Sequence, residues 1–245
     1  MTIMLVAAAV CPCPPLLVPE VAAGAAPELD ALRDACEDVL GLLAASRPDL
    51  LIVAGPADVP GRGAFPAGAR GSFRPFGVEL DVRLGMAQAD AGGQAPAGDG
   101  RQLPTSLAVG AWLLRGWKAC PVEGLGVGEP LAPGRCAAAG REIAAAAERV
   151  ALLVMGDGSA CRTVKAPGYL DERAEGFDAA VAAALGAADT GALARLDPEP
   201  AAEVRAAGRA PWQVLAGAAE GAGLGGRLLY EDAPYGVGYF VAGWT

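Results

Sequence analysis

The 245-residue chain contains no histidine. Imidazole is the usual general base near neutral pH and the commonest protein ligand for transition metals, so any site here works without it. A Ser-His-Asp triad is excluded on the same ground. The chain also lacks an apolar run near the roughly 18 to 20 residues that cross a bilayer, although hydrophobic residues make up 53% of it. Positive charge is scarce: 19 Lys and Arg stand against 28 Asp and Glu, a formal net charge of -9. That balance repels phosphate backbones and the basic residues form no run, so nucleic acid is not an expected partner. The six cysteines, at positions 11, 13, 36, 120, 136 and 161, have neither the CxxC pairing of a structural zinc site nor the density of a disulfide scaffold.

What is present is an alternation of strand and helix patterns. Ile3 to Val10 is a continuous apolar run of the kind covered on both faces in a parallel sheet. It is short, lacks the basic start of a signal peptide and meets prolines at once, so it reads as the first strand of a cytoplasmic protein without membrane association. Leu29, Leu32, Cys36, Val39, Leu40 and Leu43 recur at helical spacing through about Ser46, with Pro27 in the first turn. Leu50 to Ala54 is a second buried strand, giving a βαβ unit. Gly55 to Pro75 reads as loop, Phe76 to Val82 as a half-exposed strand and Asp90 to Gly100 as a Gly- and Ala-rich connection. Helices are predicted at Thr105 to Trp117, Pro133 to Arg149, Asp171 to Leu185, Thr190 to Leu196, Glu199 to Ala207 and Pro211 to Ala222. Strands are predicted at Ala119 to Val127 and Ala151 to Met155, with two more joined by a turn at Ala233 to Gly236.

This order predicts one α/β domain over residues 1–245, with a central mixed, mostly parallel sheet and helices on both faces. Ligands gather beyond the carboxyl ends of such strands, so CPCPP, GPAD and GDGSACR are expected on one rim. Neither GPADVPGRG nor GDGSACRTVK fits a nucleotide-binding glycine motif. Ser159 lacks the glycine two residues on that a nucleophile elbow needs, since Cys161 stands there. The turn reading makes Gly156, Asp157 and Gly158 a strand-to-helix turn with Ser159 as its cap; Asp157 and Ser159 are the candidate catalytic side chains. Cys11 and Cys13 read as metal ligands, a redox pair or incidental small residues, with Cys13 expected to face the rim because Cys11 is nearer the buried run. From position alone, Glu231 and Asp232 read as solvated turn residues.

Three segments taken together, CPCPPLLVPE, VMGDGSACRTVKAPGYLDERAEGFDAAV, and APWQVLAGAA with LLYEDAPYGVGYFVAGW, resemble the actinobacterial branch of the class III extradiol ring-cleavage dioxygenases (LigB-like). The likeness follows the order of nearly the whole chain. It implies a single α/β domain around a mixed sheet. It further implies a site built for non-haem Fe(II), held in active members by two histidines and a glutamate that leave positions for a catecholate and dioxygen. By the same resemblance, Cys13 occupies the first ligand position, Asp58 lies near the second and Glu231 corresponds to the third. The acid-base histidine would follow Gly156-Asp157-Gly158-Ser159, where Ala160 stands.

The resemblance therefore implies a LigB-like protein whose Fe(II) site is lost or altered, binding a small molecule, aromatic by the family's chemistry, or a protein partner rather than cleaving catechols. The alternative is a metal- or thiol-dependent oxidoreductase. Its rebuilt site would join Cys13 and Cys161 with Asp58, Asp157 or Glu231 around Fe(II) or another divalent metal. Homo- or hetero-oligomers fit the family as well, with Trp112, Trp117 and Trp244 as interface candidates, although core packing is the commoner role for such aromatics.

Overall fold

The computed structural model describes residues 4–85 and 100–245; most of the connection expected at Asp90 to Gly100 lies outside them. The strands in chain order are β1 (Met4–Cys11), β2 (Leu50–Pro56), β3 (Gly63–Phe65), β4 (Arg70–Ser72), β5 (Asp81–Arg83), β6 (Val122–Val127), β7 (Arg149–Met155), β8 (Gly226–Asp232) and β9 (Tyr239–Trp244). The helices are α1 (Pro19–Ala22), α2 (Asp30–Ala45), α3 (Thr105–Leu113), α4 (Pro133–Ala144), α5 (Arg173–Gly186), α6 (Thr190–Ala194), α7 (Pro198–Glu203) and α8 (Arg209–Ala218).

Seven strands form one mixed sheet in the order β3-β6-β2-β7-β1-β9-β8. The four at its centre, β6, β2, β7 and β1, are parallel. β3 pairs antiparallel with β6 and β9 antiparallel with β1, and β8 pairs antiparallel with β9. β7 lies between β1 and β2, so the first two parallel strands do not pair with each other.

Strand side chains alternate between faces, and here both faces are buried. Ala7, Ala9, Cys11, Leu51, Val53, Ala151, Leu153 and Met155 face one apolar cluster with α2 and α3. Ala8, Val10, Ile52, Ala54, Val150, Leu152 and Val154 face the other, with α4, α5 and α8. That two-sided burial is why these strands read as continuous apolar runs rather than alternating ones. Each fully buried Val, Leu or Met contributes roughly 1.5 to 3 kcal/mol of transfer free energy.

The differences from the sequence reading have local causes. Pro27 falls inside a 3-10 stretch, Ala23–Leu29, and α2 starts only at Asp30. The expected loop after β2 contains β3 and β4, and the expected strand Phe76 to Val82 shrinks to β5 after a 3-10 turn at Arg74–Phe76. β4 and β5 make a separate two-stranded ribbon. The ribbon lies on α3, where a Cβ on Gly71 would come within 3.0 Å of Ala108 Cβ and 3.2 Å of Leu103 Cβ. Covered by the sheet on one side and the ribbon on the other, α3 is buried from Ser106 to Leu113.

Candidate functional site

Because β1, β2, β6 and β7 run parallel, the segments leaving their carboxyl ends meet on one rim. Two hydrogen bonds pin them together: Gly156 N–H donates to Cys11 O (3.0 Å) and Ala57 N–H to Val127 O (2.8 Å). β8 runs in the same direction as β1, so Glu231 and Asp232 end at this rim too.

The closest polar arrangement joins the ends of β1 and β7. Cys13 N–H donates to Asp157 Oδ1 at 2.7 Å. Burial, then the negative charges of Asp157 and Glu129, push the Cys13 thiol well above its ordinary range. Burial likewise raises the Asp157 carboxyl to about 6, partly offset by hydrogen bonds from the Cys13 backbone and thiol. Cys13 is thus a neutral thiol at physiological pH, although a nucleophile or metal ligand would have to be a thiolate. It is also buried, at 6% exposure, where the sequence led us to expect an outward thiol. Tyr239, opening β9, is raised by burial first and then by Asp157 and Cys13, which marks it as a neighbour of the same pair.

Glu129 follows β6 in the same way. Its Oε1 accepts from Ala210 N–H at 3.4 Å, and its Oε2 lies 3.5 Å from Arg209 Nε. Burial raises its carboxyl to about 7 against the lowering effects of Arg209 and the Ala210 N–H. Arg209 is only 2% exposed. Its Nη1 donates to Leu131 O (2.8 Å) and Gln213 Oε1 (3.0 Å), which fixes the start of α8 against the β6 loop. The indole Nε1 of Trp212, one turn along α8, is buried without an acceptor among the described residues. A protein carboxyl near 7 exchanges protons at neutral pH. Arg209, Trp212 and Tyr239 carry no sequence signal of their own, and Glu129 carries one, GVGEP after a predicted strand, which places a carboxylate at a parallel strand's carboxyl end.

The GDGSACR segment is a structural knot. Ser159 caps no helix, because the next one, α5, begins at Arg173. Its N–H and Oγ donate to Asp178 Oδ1 (2.7 Å) and Oδ2 (2.8 Å), and Arg162 Nη1 adds a bond to Oδ2 at 3.2 Å. Ser159 and Asp178 are both fully buried. Glycine is required on either side: a Cβ on Gly158 would lie 2.7 Å from Asp178 Oδ1, and one on Gly238 2.5 Å from Oδ2.

The residues assigned to a metal, by the resemblance or by the rebuilt-site alternative, do not assemble beyond the contact of Cys13 with Asp157. Asp58 is exposed, at the start of a 3-10 turn, Val59–Gly61. Glu231 is exposed on the edge strand β8, opposite Phe240. Cys161 is buried in a separate apolar cluster with Ala174, Ala201, Val204 and Ala206. Among the described residues no three Cys, Asp or Glu side chains converge as a metal-holding group. Without that convergence the donor set, as arranged here, does not fit an Fe(II) centre.

No known family profile matches the chain, and no curated protein matches it. The fold has a solved counterpart. An uncharacterized Escherichia coli protein, JW3007, has a crystal structure similar to this one at a TM-score of 0.58, with 98% of this chain and 99% of that chain covered. The two sequences are 16% identical, so the likeness is one of fold.

Proposed function

We propose that this chain is a LigB-like protein of the extradiol dioxygenase superfamily that has given up ring cleavage, and that its rim binds a small molecule or a protein partner. The observation that carries the reading is the pairing of Cys13 with Asp157 at the carboxyl end of β1, where the resemblance calls for a metal-binding imidazole. Two further facts support it. The chain has no histidine, and the residue after Ser159 is Ala160, which cannot move a proton. Loss of a positioned acid-base group alone costs on the order of 10²- to 10⁴-fold in rate.

The test is metal analysis of protein prepared without a histidine tag, with oxygen uptake measured on protocatechuate and catechol. The expected result is no stoichiometric iron and no ring-cleavage product. Tight Fe(II) with product formation overturns the proposal. Stoichiometric metal that disappears in Cys13→Ser would instead favour the rebuilt thiolate site.

A further inference from the structure

The ribbon sets arginines against each other in an otherwise acidic chain. β4 and β5 pair in the register Arg70↔Arg83, Gly71↔Val82 and Ser72↔Asp81. Side chains of directly opposed residues in an antiparallel pair share a face. Gly71 and Val82 therefore turn toward α3, while Arg70, Ser72, Asp81 and Arg83 lie on the outer face. Two like charges directly opposite each other destabilise a two-stranded ribbon unless something neutralises them.

Among the described residues nothing does. Asp81 is engaged by Arg74, whose Nη2 lies 2.9 Å from Oδ2. No acidic side chain of the described residues forms an ion pair with Arg70 or Arg83. Both line an open cleft of about 440 Å³, together with Arg74, Asp81, Ser72 and Thr105. Three arginines against one aspartate leave the cleft positive, in a chain whose formal charge is -9. Thr105 is the first residue of α3, and no side chain caps that helix. Its first-turn N–H groups and positive end therefore add to the same field. Phe76, 40% exposed, and Pro75 supply an apolar wall.

We infer that the Arg70–Arg83 cleft is a binding site for a small phosphate monoester, its phosphate bridging the two opposed guanidinium groups. Guanidinium forks match phosphate oxygens in geometry as well as charge. Thr105 offers a hydroxyl donor for a further oxygen. The Asp81 carboxylate disfavours any anion placed on its side of the cleft, so the site is set over Arg70 and Arg83. A second cleft, of about 350 Å³, shares Gln102, Leu103 and Thr105 and continues to Asp58. The organic part of the ligand has room to extend along it toward the rim.

The experiment is calorimetric titration of the full chain with inorganic phosphate and with phenyl phosphate at constant ionic strength, with sodium acetate as the carboxylate control. The expected result is saturable binding of both phosphates and weaker binding of acetate. The Arg70→Gln/Arg83→Gln double variant, folded by circular dichroism, should lose about tenfold or more of the phosphate affinity. In phosphate-free chloride buffer each single substitution should raise Tm by removing the like-charge contact. Absent binding, equal binding by wild type and double variant, acetate binding as tight as phosphate, or single variants whose Tm is unchanged or lower would overturn the inference.

Discussion

Two loops leave neighbouring parallel strands at the same rim and are held in opposite ways. The loop after β7 is tied at nearly every turn: Gly158 N–H to Gly238 O, Gly238 N–H to Ser159 O, Ala160 N–H to Val204 O, Arg162 N–H to Gly236 O and Ala207 N–H to Asp157 O. Ser159 and Asp178 add a buried side-chain pair. The loop after β2 is tied to β6 through Ala57 N–H and again where β3 pairs from Gly63, and between these points it turns outward, leaving Asp58, Val59 and Pro60 exposed beside a cleft. A closed loop fixes geometry, whereas an open one leaves polar groups for a ligand. Along this rim the rigid element and the accessible surface are therefore different segments.

The largest expected effect falls on the closed side. Asp178→Ala removes the acceptor for Ser159 N–H, Ser159 Oγ and Arg162 together and should cost about 3 kcal/mol in urea unfolding, because buried donors left unpaired carry their full desolvation penalty. A cost under about 0.5 kcal/mol, the usual range for exposed substitutions, would erase the contrast between the loops.

Next comes Asp157→Asn, with a pH signature. The folded-state carboxyl is raised from an ordinary value of 3.8 to about 6. The native state therefore binds the proton more tightly than the unfolded chain does, and the stability this confers is complete below about pH 4 and lost as pH rises through about 6. The asparagine variant has no such loss. Its Tm relative to wild type should climb between pH 4 and 7, by the equivalent of about 2 to 3 kcal/mol. A pH-independent difference would show that burial does not perturb this carboxyl.

Ser159→Ala should cost about 1 kcal/mol in the same unfolding assay, one hydrogen bond to an acceptor that keeps its other partners. At the bottom of the scale, Asp58→Ala should stay within about 0.5 kcal/mol of wild type by thermal unfolding. A larger loss there would mean that the β2 loop is as firmly built as its neighbour.

The same contrast explains what could be read from the chain. The strands around Ala7, Val53 and Leu153 were legible because burial on both faces leaves no polar residue in the run, and α2 because Leu32, Cys36, Val39 and Leu43 repeat at helical spacing. The short ribbon was not legible: Gly71 is chosen for close approach to α3, a tertiary reason that leaves no periodic trace. At the rim, Cys13 and Asp157 each stand out by following an apolar strand, but their mutual contact depends on β7 lying next to β1. Ser159 reads as a cap because Gly-Asp-Gly-Ser has local turn chemistry; its partner, Asp178, belongs to a helix that the turn does not begin. Glu129 escaped because its raised proton affinity comes from burial in the folded chain, which Arg209 and the Ala210 N–H of α8, far along the chain, offset only in part.

β9 lies between β1 and β8, so the first strand borders one of the last. The β7 loop likewise closes on Gly236 and Gly238, from the turn just ahead of β9. During synthesis the early strand and that loop must wait for residues made much later, and contacts of such long sequence separation are slow to form. A nascent chain cut off before Tyr239 would present β1 as an unpaired edge, so premature termination here should yield an aggregating product rather than a shortened working one.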